Sequence, residues 1–217
     1  MDVPDDAVLF DMDGVLVDSE TYWHRFEDDW VFAEAIESGS PAHEEVTGMP
    51  YYEIYDYLEE TYGTAVSKDE FTAKYEERAV SLYGEQVELT EGVPELFEAI
   101  RADGRALAIV SSARRAWIDI VRERFGLDPL DFVLSAEEID EPGKPEPYVY
   151  EHAAAELGLE PSECVVIEDS VNGIESAACS GAFTIGFRST HNAELDLSRA
   201  DVVVESCAEL REVLEID

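Results

Sequence analysis

The sequence predicts an α/β protein, a doubly wound, mainly parallel sheet carrying an inserted all-α domain. Short, continuous apolar runs recur at 7–10, 106–110, 132–134, 164–167, 183–185 and 202–204. A strand that is apolar at every position is covered on both faces, which is the pattern of a buried parallel sheet. Helical periodicity separates the later runs, as expected when crossover helices connect parallel strands. Between the first run and the second, about 19–91, the periodicity is helical and no convincing strand is present.

The first run leads directly into Asp11, Met12, Asp13 and Gly14. The helical stretch that follows contains YWHRFEDDWVFAEAIES, YYEIYDYLEETYG and SKDEFTAKYEERAVSLYG. In the last of these Ser67 precedes Glu70 by three residues, the signature of a capping box. A connection of this length is uncommon unless it is functional, and its place right after an aspartate cluster suggests a cap over a site. With linkers near 16–20 and 86–92, the expected domains are 1–18 plus 89–217 for the sheet and 19–88 for the insert. Further on, Pro94 suits a first helical turn and Gly104 a C-terminal stop before ALAIV. YVYEHAAAELG repeats that arrangement before CVVI.

A length of 217 residues allows one α/β domain with a sizeable core and a smaller insert. Acidic residues number 52 against 14 basic ones, a formal net charge of -38. They are spread among periodic apolar positions rather than gathered in blocks, and 46% of the chain is hydrophobic, so the chain folds. Lys68, Lys74 and Lys144 are the only lysines. This acid-rich, lysine-poor composition resembles the cytosolic proteins of salt-in halophiles, where a Debye length of about 3 Å in molar salt screens surface repulsion. Nucleic acid and anionic membranes are excluded as partners, because binding them requires positive surface. Cys164, Cys179 and Cys207 are odd in number and lack CxxC spacing, so they read as buried thiols of a reducing compartment and imply no zinc site. The N-terminus shows no charged region followed by an apolar stretch, and no run approaches a bilayer span, so the expected location is the cytoplasm. Nothing marks an oligomer, and a monomer is expected.

Four apolar runs end in polar residues: the first in Asp11, the second in Ser111 and Ser112, the third in Ser135, the fourth in Glu168 and Asp169. In open α/β sheets that edge is where ligands bind. Asp11 and Asp13, joined there by Glu168 and Asp169, would place like charges at one point, which must share protons or bind a cation. Oxygen-only donors suit a hard ion, and Mg²⁺ characteristically takes one or two carboxylates plus water and substrate phosphate. Together with the ammonium of Lys144, such an ion would offset a phosphate ester that so acidic a protein otherwise repels.

FDMDGVLVDS, AIVSS, GKPEPYVY and VVIEDSVNGIESAACSGA resemble, in order and wording, the four motifs of the haloacid dehalogenase superfamily of phosphohydrolases. The resemblance covers the sheet domain and implies a Rossmann-like core. The spacing leaves room for the helical cap of the branch that includes sugar-phosphate phosphatases, phosphoglycolate phosphatase and β-phosphoglucomutase. Carried over, it makes Asp11 the nucleophile and Asp13 the general acid and base. Ser111 would hold the transferring phosphoryl group with main-chain help from Met12, Gly14 and Ser112, and Lys144 would pair with nucleophile and phosphate. Asp169 with Glu168 would complete a Mg²⁺ site begun by Asp11 and Asp13, and the substrate would be a small phosphorylated metabolite.

Asp13 argues against carbon–halogen cleavage, which needs no acid for a leaving oxygen. The cap loop of β-phosphoglucomutase carries a lysine before a glycine and an arginine three residues after it. The corresponding stretch here, Thr47, Gly48, Met49, Pro50 and Tyr51, carries neither, which favours hydrolysis, with a sugar phosphomutase as the alternative. Arg25 and Arg78 read as surface residues. A phosphoaspartate receiver would have no use for a cap. Trp23, His24 and Tyr51 are the candidates to face the leaving group, while His43, His152 and His191 show no partner pattern and are assigned no chemistry. Asp18 and Ser19 read either as hinge residues or as a plain helix cap.

Overall fold

The computed structural model describes residues 3–216. All six apolar runs form strands: β1 Ala7–Phe10, β2 Ala106–Ser111, β3 Phe132–Ser135, β4 Cys164–Glu168, β5 Phe183–Phe187 and β6 Val202–Val204. They make one parallel sheet in the order β3-β2-β1-β4-β5-β6. After β1 the chain builds outward on one side, then returns to build on the other, so the order reverses between β1 and β4. Phe10 is level with Ile109 of β2 and Ile167 of β4, so Asp11, Ser111 and Glu168 reach the carboxyl edge together at that switch point.

Helices α4 Val93–Asp103, α5 Arg115–Phe125, α6 Tyr148–Glu156, α7 Val171–Ser180 and α8 Cys207–Leu214 cover the two faces. Alternation along β1 divides the core. Val8 and Phe10 join α4, α5 and α8 through residues such as Phe97, Trp117 and Leu210, whereas Ala7 and Leu9 join α6 and α7 through Val149, Tyr150 and Ala177. Each fully buried Leu or Phe contributes about 1.5–3 kcal/mol relative to exposure. Pro94 lies in the first turn of α4, and Gly104 stops it in the left-handed conformation.

The segment between β1 and β2 is helical: α1 Glu20–Phe26, α2 Tyr51–Tyr62 and α3 Lys68–Ser81. Ser67 caps α3 by accepting from the Glu70 amide at 3.2 Å. The helical patterns around α1 and α3 do not end as regular α-helix. Both continue as π-helix, over Glu27–Ala35 and Leu82–Gln86. Such widened turns are frequent at functional sites, and here they supply Glu27 and Tyr83 to the cleft described below.

The chain enters and leaves this helical segment side by side. Val17 bridges Leu89 antiparallel, the Asp18 amide donates to Glu88 O at 3.2 Å, and the Glu88 amide donates to Asp18 Oδ1 at 2.6 Å. Asp18 therefore staples the two linkers. Ser19 precedes α1 without capping it, and its hydroxyl turns inward to Asp13 instead. The helical segment closes onto the sheet through Ser112 Oγ to Gly48 O at 2.7 Å, Asn172 Nδ2 to Thr47 O at 2.8 Å and the Gly143 amide to Glu53 Oε1 at 3.1 Å.

The cysteine expectation needs one correction: Cys164 and Cys207 are buried, but Cys179 is exposed. On α7 the inward positions are Ile174 and Ala177, and two residues further the helix has turned to solvent. Among the described residues no helix is long and apolar enough to cross a membrane.

Candidate active site

Asp11 ends β1 and Lys144 reaches it from the loop before α6. Lys144 Nζ lies 2.6 Å from Asp11 Oδ1 and 2.6 Å from Glu168 Oε1, and all three residues are buried. Burial pushes Asp11 well above the ordinary carboxyl range, against the pull of Lys144, while Glu168, Asp13 and Asp169 push it further up. Burial works to lower the Lys144 ammonium, but the Asp11 and Glu168 carboxylates outweigh it and raise the lysine above its usual value. Lys144 is thus a fixed cation behind the aspartate.

Glu168 is held on both oxygens. Oε1 also accepts from Tyr150 at 2.6 Å, and Oε2 accepts from the Asp169 amide at 3.2 Å and Ser170 Oγ at 3.3 Å. Helix α7 passes so close that a Cβ at Gly173 would stand 2.0 Å from the Glu168 carboxyl, which is why glycine follows Asn172.

Asp13 stands on the turn after β1. Its Oδ1 accepts from Ser19 Oγ at 2.5 Å and from Tyr83 Oη at 2.6 Å, and Tyr83 accepts in turn from Trp23 Nε1 at 3.1 Å. Burial raises Asp13, and the bonds from Ser19 and Tyr83 partly restrain that rise. A carboxyl poised this way can both give and take a proton nearer neutral pH than a solvated aspartate.

Gly14 has φ +75°, and a Cβ there would lie 2.0 Å from Asp169 Oδ2. Its amide donates to Val17 O at 2.8 Å. The tight turn uses the Gly14 amide, and the residue's lack of a side chain makes room for Asp169. The Met12 side chain is buried in the core. Ser111 ends β2 with its Oγ accepting from the Ala113 amide at 3.1 Å. Ser111 and Ser112 line the same cleft as Asp11, Asp13 and Asp169, whereas Lys144 and Glu168 lie behind that lining.

His191, to which the sequence assigned no chemistry, belongs to the cluster. Its Nε2 lies 2.5 Å from Asp169 Oδ2 and its Nδ1 2.5 Å from Ser189 Oγ. Asn192 adds Nδ2 to the Asp169 carbonyl at 2.8 Å. Burial raises Asp169 to about 6, and His191 opposes the rise. A polar residue just after β5 was the available signal, but only strand order shows that β5 neighbours β4.

The cleft has about 620 Å³ of empty volume and opens to solvent. Its outer wall includes Trp23, Tyr51 and Tyr75 from the helical segment and Trp117 from α5. Of the three residues expected to face a leaving group, Trp23 and Tyr51 line the cleft. His24 is absent from the lining and packs instead on His43. Glu20 and Glu27, which the sequence did not single out, contribute buried carboxylates to the wall. No Arg or Lys lines the cleft among the described residues. Arg25 is exposed, and Arg78 bonds Gln86 at 3.2 Å.

Asp11, Glu168 and Asp169 each offer a carboxylate oxygen within 4.8 Å of the others. Three buried carboxylates, two of them held above their ordinary range by burial, form an oxygen donor set that fits a hard divalent cation such as Mg²⁺.

Among curated proteins, the chain is 31% identical over 213 residues to the validoxylamine A 7'-phosphate phosphatase of Streptomyces hygroscopicus subsp. limoneus, covering 94% of this chain and 95% of that protein. It is 33% identical over 172 residues to hexitol phosphatase B of Escherichia coli, covering 77% of each. Among solved structures, CbbY from Rhodobacter sphaeroides in complex with phosphate shares the fold, with a TM-score of 0.79, 24% identity, and 97% of this chain and 99% of that one covered. The haloacid dehalogenase-like hydrolase family matches residues 6–181, so this chain belongs to the haloacid dehalogenase-like hydrolases.

Proposed function

We propose that this hydrolase is a Mg²⁺-dependent phosphatase of small phosphate monoesters whose leaving group is a hydroxylated, uncharged carbohydrate. The observation that carries the reading is the pairing of Asp11 and Asp13 at a cleft without Arg or Lys in its lining. One cation, Lys144, serves the reacting phosphate from behind. A second phosphate or a carboxylate on the leaving group would meet Glu20 and Glu27 instead of a positive partner. The two named phosphatases above act, by their names, on validoxylamine A 7'-phosphate and on a hexitol phosphate, and the second supports a polyhydroxylated leaving group here.

In this mechanism Asp11 attacks phosphorus, the P–O bond to the leaving alcohol breaks, and Asp13 gives that oxygen its proton. An aspartyl-phosphate on Asp11 results, and water then displaces the aspartate after Asp13 takes the water's proton. Ser111 and the neighbouring main chain hold the phosphoryl group. Lys144 opposes the burial that raises Asp11, favouring its ionised form, and offsets the charge on the phosphoryl oxygens. Asp11, Glu168 and Asp169, with the Asp13 carbonyl, would hold a Mg²⁺ ion, which would supply charge stabilisation for phosphoryl transfer. The helical segment, residues 19–88, acts as a cap hinged at the Val17–Leu89 pair, closing to exclude water.

Phosphorus NMR in KCl with Mg²⁺ tests this against sorbitol 6-phosphate, glucose 6-phosphate, phosphoglycolate and glucose 1-phosphate with a trace of glucose 1,6-bisphosphate. Free phosphate should appear from the uncharged-alcohol esters and stop on chelation. Conversion of glucose 1-phosphate to glucose 6-phosphate with little free phosphate would instead make it a mutase.

A further inference from the structure

The helical segment holds a second group of metal-ligating side chains, separate in residues and in chemistry from the all-oxygen set. His24 of α1, Glu27 of the π-helical stretch and His43, which opens the 3-10 turn His43–Glu45, each offer one ligand atom, all within 4.8 Å of one another. His24 and Glu27 are three residues apart and so share a helix face. His43 Nδ1 lies 2.6 Å from Glu27 Oε2, and the His24 and His43 rings stack with centroids 4.2 Å apart. Glu27 is only 4% exposed.

Two details point to a ligand. His24 Nε2 is buried and makes no hydrogen bond, its neighbouring carboxylate Glu20 Oε2 standing off at 3.6 Å, and leaving a buried polar atom unsatisfied costs about 1–3 kcal/mol. Desolvation holds His24 down to about 4, so its imidazole is neutral and keeps a free lone pair. His43 shows the second detail. Its other ring nitrogen, Nε2, faces Asp28 Oδ1 at 3.1 Å. Metal-bound histidines almost always donate their remaining N–H to such a carboxylate, which fixes the tautomer and leaves the opposite nitrogen to ligate.

We propose that His24, Glu27 and His43 form a binding site for a borderline divalent transition cation of the Zn²⁺ class, with Asp28 orienting His43. Imidazole ligands select such ions over Mg²⁺, and three protein ligands leave one position open. Bound there, the ion ties α1 to the loop whose Thr47 and Gly48 carbonyls accept from Asn172 and Ser112 of the sheet domain. Because Glu27 also lines the cleft, the ion stiffens the leaving-group wall and favours the closed cap.

The site stands independently of the phosphatase reading, and its test reads binding rather than turnover. With excess Mg²⁺ present, Zn²⁺ is titrated calorimetrically and Co²⁺ by its visible absorption, on the wild type and on His24→Phe, His24→Gln, His43→Gln, Asp28→Asn and Asp11→Asn, each checked for folding by circular dichroism. The expected result is one Zn²⁺ per chain, an affinity lowered at least about tenfold in both His24 variants and in His43→Gln, and roughly 10–100-fold in Asp28→Asn. Asp11→Asn should bind Zn²⁺ as the wild type does. Absence of Zn²⁺ binding, or binding lost in Asp11→Asn but kept in both His24 variants, overturns the proposal.

Discussion

Tyr83→Phe removes one hydroxyl and probes how Asp13 holds its proton. The Tyr83 hydroxyl donates to Asp13 Oδ1 at 2.6 Å and accepts from Trp23 Nε1 at 3.1 Å. A hydrogen bond to an ionised carboxylate contributes about 1.5–3 kcal/mol. At about 1.4 kcal/mol per pKa unit, its loss raises Asp13 by roughly one to two units. The direction follows from the contacts: burial already lifts Asp13, and Tyr83 is one of the groups restraining it. In the proposed mechanism the first displacement needs Asp13 protonated, so kcat/KM is expected to fall as pH rises through the Asp13 pKa. Tyr83→Phe therefore moves that alkaline limb upward, by roughly one to two units, for an alkyl phosphate at saturating Mg²⁺. With p-nitrophenyl phosphate, whose leaving group needs no proton, the same limb is absent or unmoved. A limb that stays fixed, or moves down, for the alkyl ester would refute the assignment of Asp13 as the acid. The Trp23 N–H also loses its acceptor, lowering stability by about 1–3 kcal/mol in urea unfolding.

Asp11→Asn keeps the shape of the nucleophile and removes its charge; phosphate release should fall at least about 10⁴-fold with the fold intact, and residual activity near the wild-type level would move the nucleophile elsewhere. Lys144→Met strips Asp11 and Glu168 of their shared cation, so urea unfolding should show a loss of about 3–5 kcal/mol; a neutral result would refute the lysine's role in holding the buried pair together. Gly14→Ala drives a Cβ into Asp169 at a positive φ, and calorimetry should register weaker Mg²⁺ binding as well as a lower Tm. With 52 acidic residues against 14 basic ones, the Tm should rise steadily as KCl is taken from dilute to molar, because screening relieves self-repulsion; a flat or falling Tm removes the halophilic reading.

Much of the scaffold was legible in the chain because it is written in near-neighbour patterns. Continuous apolar runs became strands, Pro94 and Gly104 bounded α4, and Ser67 capped α3. The polar residues closing the first, second and fourth runs meet at one edge, since every parallel strand delivers its carboxyl end to the same side. The cleft's outer wall was less legible. Trp23 and Tyr51 were readable as cap aromatics, but Glu20 and Glu27 looked like ordinary helical acids in a chain full of them. Tyr83 looked like the end of a helix, and the π-helical turns that bring Glu27 and Tyr83 inward have no simple periodicity to announce them.

The sequence by itself determined the layered α/β architecture, the helical insertion after the first strand and the carboxylates that gather at the sheet edge, because periodicity, capping and turn chemistry act over a few residues. The tertiary structure alone decided which distant groups share a contact. Strand order set β5 beside β4 and brought His191 to Asp169. Closure of the helical segment set Tyr83 on Asp13 across 70 positions of chain. Packing within the helical segment brought His43 to Glu27, and the cleft lining carries no Arg or Lys among the described residues. Those pairings depend on how whole elements pack against one another, and no short-range pattern in the chain encodes them.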